Sequence, residues 1–140
     1  MAIWHKPIDL ASLNLRGKNT LIEWAGIEFT ELGDDYMVAR MPVDHRTKQP
    51  IGILHGGASC VLAESVGSTA GNCCVDIDKF YCVGLEINVN HIRSIKEGYV
   101  YGTAKPLHLG RSTQVWQIEM RNMENKMTAV SRLTMSVLAR

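Results

Sequence analysis

The alternation of apolar and polar positions divides the chain into two short helical turns, two strands, one long helix and four further strands. Asp9 is placed to cap a short helix over Leu10–Leu15, closed by Gly17. Thr20-Leu-Ile-Glu23 has capping-box spacing for one further turn, ended by Gly26. Ile27–Leu32 and Tyr36–Val43 read as strands around a Gly33-Asp-Asp turn, and Pro42 weakens the end of the second. Asp44–Leu54, with Pro50 and Gly52, reads as a loop. Gly56–Cys74 is the one long helix, with Val61, Leu62, Val66 and Ala70 on its apolar face and Glu64 and Ser68 one turn apart.

Beyond that helix the period changes to two. Tyr81, Val83, Leu85, Ile87 and Val89 alternate with Cys82, Gly84, Glu86, Asn88 and Asn90. Strands over Gly98–Lys105, Ser112–Arg121 and Met127–Leu138 follow, separated by turns at Lys105–Gly110 and Asn122–Asn125. Trp116, Ile118 and Met120 share one face. The order predicts an α+β fold in a single domain spanning 1–140, with a long antiparallel sheet packed on one central helix. Strands longer than the usual ~5–6 residues leave edges that need partners, so a homo-oligomer is expected.

The formal net charge of +1 gives no global field for nucleic acid or a membrane surface. The opening Met1-Ala-Ile-Trp-His-Lys-Pro lacks the apolar core of a signal peptide, and the helix carrying Glu64 is a poor bilayer span. Cys60, Cys73, Cys74 and Cys82 have no metal-ligand spacing and read as free thiols in a reducing cytoplasm. No metal or cofactor is expected.

Candidate chemistry centres on Glu64, the one acidic side chain between Lys48 and Asp76. A carboxylate in an apolar, small-residue helix is costly unless something pairs with it or uses it. Just upstream, His55-Gly56-Gly57 brings unpaired N–H groups to a helix start, a site for a developing oxyanion. Glu64 would attack a carbonyl or activate water; the plain alternative is a carboxylate satisfied in the core or at an interface. Ser68 stands one turn on, where bonding back to its own helix is the alternative. His55 reads as neutral and structural. Gln49 is held extended by Pro50. Arg93, Lys96, Lys105 and Arg111 face only Glu97 in one stretch, which suits a phosphorylated ligand and equally suits solvated strand ends.

Three blocks resemble the hotdog-fold acyl-CoA thioesterases. They are Met41-Pro-Val-Asp-His-Arg-Thr-Lys-Gln-Pro with Leu54-His-Gly-Gly-Ala-Ser and Leu62-Ala-Glu-Ser-Val-Gly-Ser; Val83-Gly-Leu-Glu-Ile-Asn-Val-Asn-His-Ile-Arg93; and Pro106-Leu-His-Leu-Gly110. Within that family the chain is most similar to the bacterial 1,4-dihydroxy-2-naphthoyl-CoA thioesterases of menaquinone synthesis and to the enterobactin-pathway proofreading thioesterases.

The resemblance implies a dimer of dimers whose active sites take the helix start from one subunit and the carboxylate from another. It gives Glu64 the catalytic carboxylate, Gly56 the N–H that polarises the thioester carbonyl with His55 beside it, Gln49 a carbonyl contact and Ser68 the placing of water. It assigns substrate or CoA contacts to Gly84, His91, Ile92, Arg93 and Ser94, and to His108, Leu109, Gly110, Arg111 and Ser112. The substrate it implies is an acyl-CoA with an aryl or bulky acyl group, or an acyl-carrier-protein thioester. The chain departs from the family pattern at Ile51, where phenylalanine is expected, and at Asn72, where a bulkier apolar residue is expected; both are expected at the acyl pocket. Two other functions share such a fold. One is a non-catalytic acyl-CoA sensor. The other is a hydroxyacyl-thioester dehydratase, which would pair His55 with Glu64.

Overall fold

A computed structural model describes all 140 residues. The elements are α1 (Leu10–Arg16), α2 (Leu21–Trp24), β1 (Glu28–Leu32), β2 (Met37–Pro42), α3 (Gly56–Cys73), β3 (Phe80–His91), β4 (Tyr99–Leu109), β5 (Thr113–Arg121) and β6 (Met127–Ala139). The six strands form one antiparallel sheet in the order β1-β2-β4-β5-β6-β3. Helix α3 touches five of the six strands, so the sheet curves around it. This is the α+β arrangement expected, a long antiparallel sheet on one central helix.

Period and burial agree where the core forms. Trp116, Ile118 and Met120 of β5 face inward with Leu133 and Met135 of β6, Met37, Ala39 and Met41 of β2, and Leu62, Val66 and Ala70 of α3. The helix sits close because its inner stripe is small. A β-carbon on Gly67 would lie 2.8 Å from Leu133 Cδ2, and one on Gly71 would lie 2.6 Å from Gln114 Oε1. The largest buried polar side chain there is satisfied, although the Ser131 Oγ on the same face has no partner. Trp116 Nε1 donates to Gln114 Oε1 at 2.9 Å, and Gln114 Nε2 donates to the Gly71 carbonyl at 3.3 Å.

Three local expectations are corrected. The stretch 105–110 is not a turn: β4 runs on to Leu109 and bulges between Pro106 and His108. Pro106 is tolerated because β2 ends opposite Ala104, leaving that edge of β4 unpaired, so no ladder bond is lost to the missing N–H. The alternation in β3 is not continuous either. A bulge between Gly84 and Glu86 inserts Leu85 and inverts the faces. Before it Cys82 points to the core; after it Ile87 and Val89 do, while Leu85 is exposed. At α2, Thr20 caps Ile22 as expected, but Glu23 Oε2 accepts from the Asn19 N–H at 2.7 Å rather than from Thr20.

Each edge strand is fastened by one asparagine. On β1, Asn14 of α1 accepts from the Phe29 N–H at 2.8 Å and donates to the Phe29 carbonyl at 3.0 Å. On β3, Asn72 of α3 accepts from the Cys82 N–H at 2.8 Å and donates to the Cys82 carbonyl at 3.0 Å. Both amides act as a substitute strand where the ladder stops. Asn72 is therefore occupied with the backbone, and the acyl-pocket role expected for it is not supported by its contacts.

Replacing Asn72 with alanine leaves two partly buried backbone groups unpaired. We expect Asn72→Ala to lower unfolding free energy by about 1–3 kcal/mol in urea titration. Unchanged stability would show that the clamp on β3 contributes nothing.

Candidate active site

Four backbone N–H groups open a helix without intrahelical partners, and here their allocation is specific. His55 donates to the Thr47 carbonyl at 2.8 Å, and Ala58 to the His55 carbonyl at 3.0 Å. Gly57 donates to His55 Nδ1 at 2.8 Å. The Gly56 N–H alone has no acceptor. Gly57, expected as a second oxyanion donor, is thus withdrawn by the histidine cap. Because Nδ1 accepts, it carries no proton, which fits the structural reading of His55.

The surroundings of Gly56 are built by two segments. Leu54 N–H donates to the Ile95 carbonyl at 2.8 Å, while the Ile92 and Arg93 N–H groups donate to the Thr128 carbonyl at 2.8 and 3.1 Å. These bonds hold 91–95 against the helix start. A cavity of about 360 Å³ results, lined by Gln49, Gly56, His91, Ile92, Arg93 and Ser94 among others. The His91 ring packs so closely that a β-carbon on Gly56 would lie 2.9 Å from its Nε2. Gln49 Oε1 accepts from the Ile51 N–H at 2.9 Å, which leaves its amide nitrogen free. Ile51 is exposed on the loop, and no acyl-pocket contact is made by it within the chain.

Glu64 lies elsewhere. It follows Gly56 by eight residues, about 12 Å along a helix axis. With Ser68 it lines a second cavity of about 360 Å³, where it is the one charged group. Its carboxylate is half-buried, and no hydrogen bond or ion pair within the chain engages it. It leans over Gly84 of β3, where a β-carbon would fall 2.6 Å from Oε1. The glycine keeps the carboxylate's space open. Cys60, one turn before Glu64, has its thiol pushed up by burial and by the nearby carboxylate. No hydrogen bond joins His55 to Glu64, and the two line different cavities.

The second block of expected contacts is not brought to the first. His108, Leu109, Gly110, Arg111 and Ser112 form the β4–β5 hairpin end, level with Ser136 of β6. His91 pairs with Ala129, seven positions back along the same strand, so the two blocks are about 24 Å apart. The basic stretch is likewise dispersed. Arg93 and Lys96 sit at one end of the sheet and Arg111 at the other, while Lys105 lies 5.6 Å over the Tyr36 ring. It is not one patch within a chain.

A third cavity, of about 460 Å³, was not foreseen. It lies between α2 and α3 and is lined by Leu21, Trp24, Met41, His55, Ala58 and Val61 among others. Its signal in the sequence was two large apolar residues, Leu21 and Trp24, three positions apart on a one-turn helix whose Ile22 packs against the core.

All four cysteines are free, and burial pushes the Cys74 thiol up to about 12. No group of three or more His, Cys, Asp or Glu is placed to hold a metal ion. No helix is long and apolar enough to cross a membrane.

Comparison with known proteins gives this geometry a family. Residues 51–129 match the thioesterase superfamily. The chain is 52% identical over 136 residues to the 1,4-dihydroxy-2-naphthoyl-CoA hydrolase of Escherichia coli, covering 97% of this chain and 99% of that one. It is 46% identical over 136 residues to the proofreading thioesterase EntH of Cronobacter turicensis, covering 97% and 98%. A crystal structure of a mutant thioesterase from Pseudomonas aeruginosa, with one glutamine replaced by alanine, superposes with a TM-score of 0.98 at 46% identity, covering 99% and 100%. The chain belongs to the thioesterase superfamily, has its hotdog fold, and is a thioester hydrolase.

Proposed function

We propose that the protein hydrolyses an aryl- or otherwise bulky acyl-CoA thioester to the free acid and CoA, in sites that combine Gly56 of one subunit with Glu64 of another. One observation carries this reading: the single unpaired N–H of the α3 start and the single unpaired carboxylate of the helix, about 12 Å apart along its axis, line separate cavities. One chain supplies both halves of a hydrolytic site without joining them. Pairing two chains along the free edge of β3 brings a helix start toward the other chain's Glu64, which leans over that strand. Two such pairs would form the tetramer.

The chemistry follows from the groups present. The thioester oxygen accepts from Gly56 N–H, and the helix dipole favours the charge that develops there. The Gln49 amide nitrogen is free to donate alongside. Glu64 adds to the carbonyl carbon or takes a proton from the water that does. The C–S bond breaks, the sulfur leaves as the CoA thiolate, and water supplies the acid's second oxygen and the thiol's proton. Ser68, one turn from Glu64 in the same cavity, orients that water. Every step runs on side-chain and backbone groups, and CoA enters as part of the substrate. Arg93 beside the helix start and Arg111 at the hairpin, both without carboxylate partners, suit the CoA phosphates, again from different subunits.

The naphthoyl-CoA hydrolase activity of the Escherichia coli relative supports an aryl-CoA substrate and a place in menaquinone synthesis. The free thiols fit a reducing cytoplasm.

Glu64→Gln keeps shape and removes both roles of the carboxylate. We expect a folded variant that still binds substrate, with kcat lowered by roughly 10²–10⁴-fold in thiol-release assays. Near-normal turnover would remove Glu64 from the reaction.

Arg93→Ala and Arg111→Ala should raise KM for CoA thioesters by roughly 10–150-fold with little change in kcat, since a remote phosphate contact binds ground and transition states alike. N-acetylcysteamine thioesters lack the phosphates and should not distinguish the variants from the parent. An equal loss on that short substrate would assign the arginines to the fold or the reacting centre.

A further inference from the structure

We infer that the groove between α2 and α3 receives the acyl group of the substrate, and that Leu21 determines how far that group extends. The inference rests on Glu64 acting at the carbonyl. Two cavities flank Leu21, and both are lined by Leu21 and Val61. The first holds Glu64 as its one charged group, beside Ile22, Cys60 and Ser68. The second continues past Leu21 to Trp24, Met41 and Ala58. Their volumes, about 360 and 460 Å³, fall within the ~300–1,000 Å³ of small-molecule sites.

The direction of the substrate follows from its chemistry. The carbonyl carbon must sit at the Glu64 carboxylate. The carbonyl oxygen meets Gly56 and Gln49 of the other subunit, and the sulfur side leads on past them to His91 and Arg93. The acyl side has the opposite course, along the groove. That groove is apolar and offers little to a phosphate. Of its two basic residues, Arg46 is spent on Asp44 at 2.7 Å, and its hydrogen bonds hold the Asp44 carboxyl at about 2. Lys48 remains exposed beside the cavity.

Leu21 and Trp24 are 62% and 76% exposed, yet they are held firmly. Thr20 Oγ1 accepts from the Ile22 N–H and donates to the Gly17 carbonyl. Ile27 N–H donates to the Ile22 carbonyl at 3.0 Å across Gly26, whose φ of +71° a side chain would strain. A rigid turn that displays two large apolar residues over an apolar groove is a surface kept for contact. A ring the size of benzoyl fits within the Glu64 cavity that Leu21 helps to line, whereas a long alkyl chain must pass Leu21 into the next cavity.

The test measures kcat/KM for benzoyl-CoA and dodecanoyl-CoA with Leu21→Trp and Leu21→Ala, with light scattering on the same samples. We expect Leu21→Trp to lower the dodecanoyl-to-benzoyl ratio by about 10-fold or more, and Leu21→Ala to raise it. Inhibition by free dodecanoate should weaken in Leu21→Trp. An unchanged ratio, an equal fall on both substrates, or loss of the assembly would overturn the inference, the last by showing that the groove is an interface. An unchanged ratio alongside an inactive Glu64→Gln enzyme removes the groove and leaves Glu64 in place. A Glu64→Gln enzyme that still turns over removes the reading on which the groove rests.

Discussion

The close seating of α3 on the sheet is the constraint from which the rest of the molecule follows. Gly67 and Gly71 place helix backbone within side-chain contact of Leu133, Gln114 and Met135, and a single β-carbon at either position would force the helix outward. Because α3 is one rigid rod of eighteen residues, its depth fixes both of its functional positions at once. The start is delivered to the segment 91–95, and Glu64 is delivered to β3. Interiors packed to this density transmit displacement rather than absorb it, so a change at Gly71 is felt at Gly56.

Within that frame, the proposed chemistry depends on what is left unsatisfied. His55 uses its ring to cap Gly57 and leaves Gly56 bare. Gly84 withholds a side chain and leaves the Glu64 carboxylate room. Asn72 satisfies β3 at Cys82, two residues before Gly84, so the strand facing Glu64 is anchored although it is a sheet edge. Beyond Cys82 that edge stays open for a second chain. A free donor, a free carboxylate and a free strand edge lie on the same side of the molecule. Each would be a defect in an isolated domain, and the proposed shared site would use all three.

Much of this was legible in the residues. The periodicity located α3 and the strands, the lone carboxylate marked Glu64, and His-Gly-Gly marked a helix start. What escaped the sequence depends on contacts between distant residues. One inserted residue, Leu85, inverts an alternation that reads as unbroken, because a bulge has no composition of its own. Pro106 and Gly110 together read as a turn, and only the end of β2 shows why a strand tolerates the proline. Arg93 and Arg111 are neighbours in the chain but lie at opposite ends of the sheet. The bonds from Asn14 and Asn72 to strand backbone, like the groove under Leu21, join elements far apart in sequence.

The shared site is the central claim, and subunit mixing tests it most directly. Gly56→Pro removes the N–H in question and sets ring carbons against His91 of the same chain, so it disables the helix-start half and leaves the carboxylate in place; proline is favoured at the first helical position, and His55 already has the extended backbone that precedes proline. Glu64→Ala removes only the carboxylate. Each variant alone should be inactive. After subunit exchange, every mixed dimer would hold one site with both groups and one with neither, so thiol release should reappear. Mixtures that exchange subunits and stay inactive would contradict a site built from two chains.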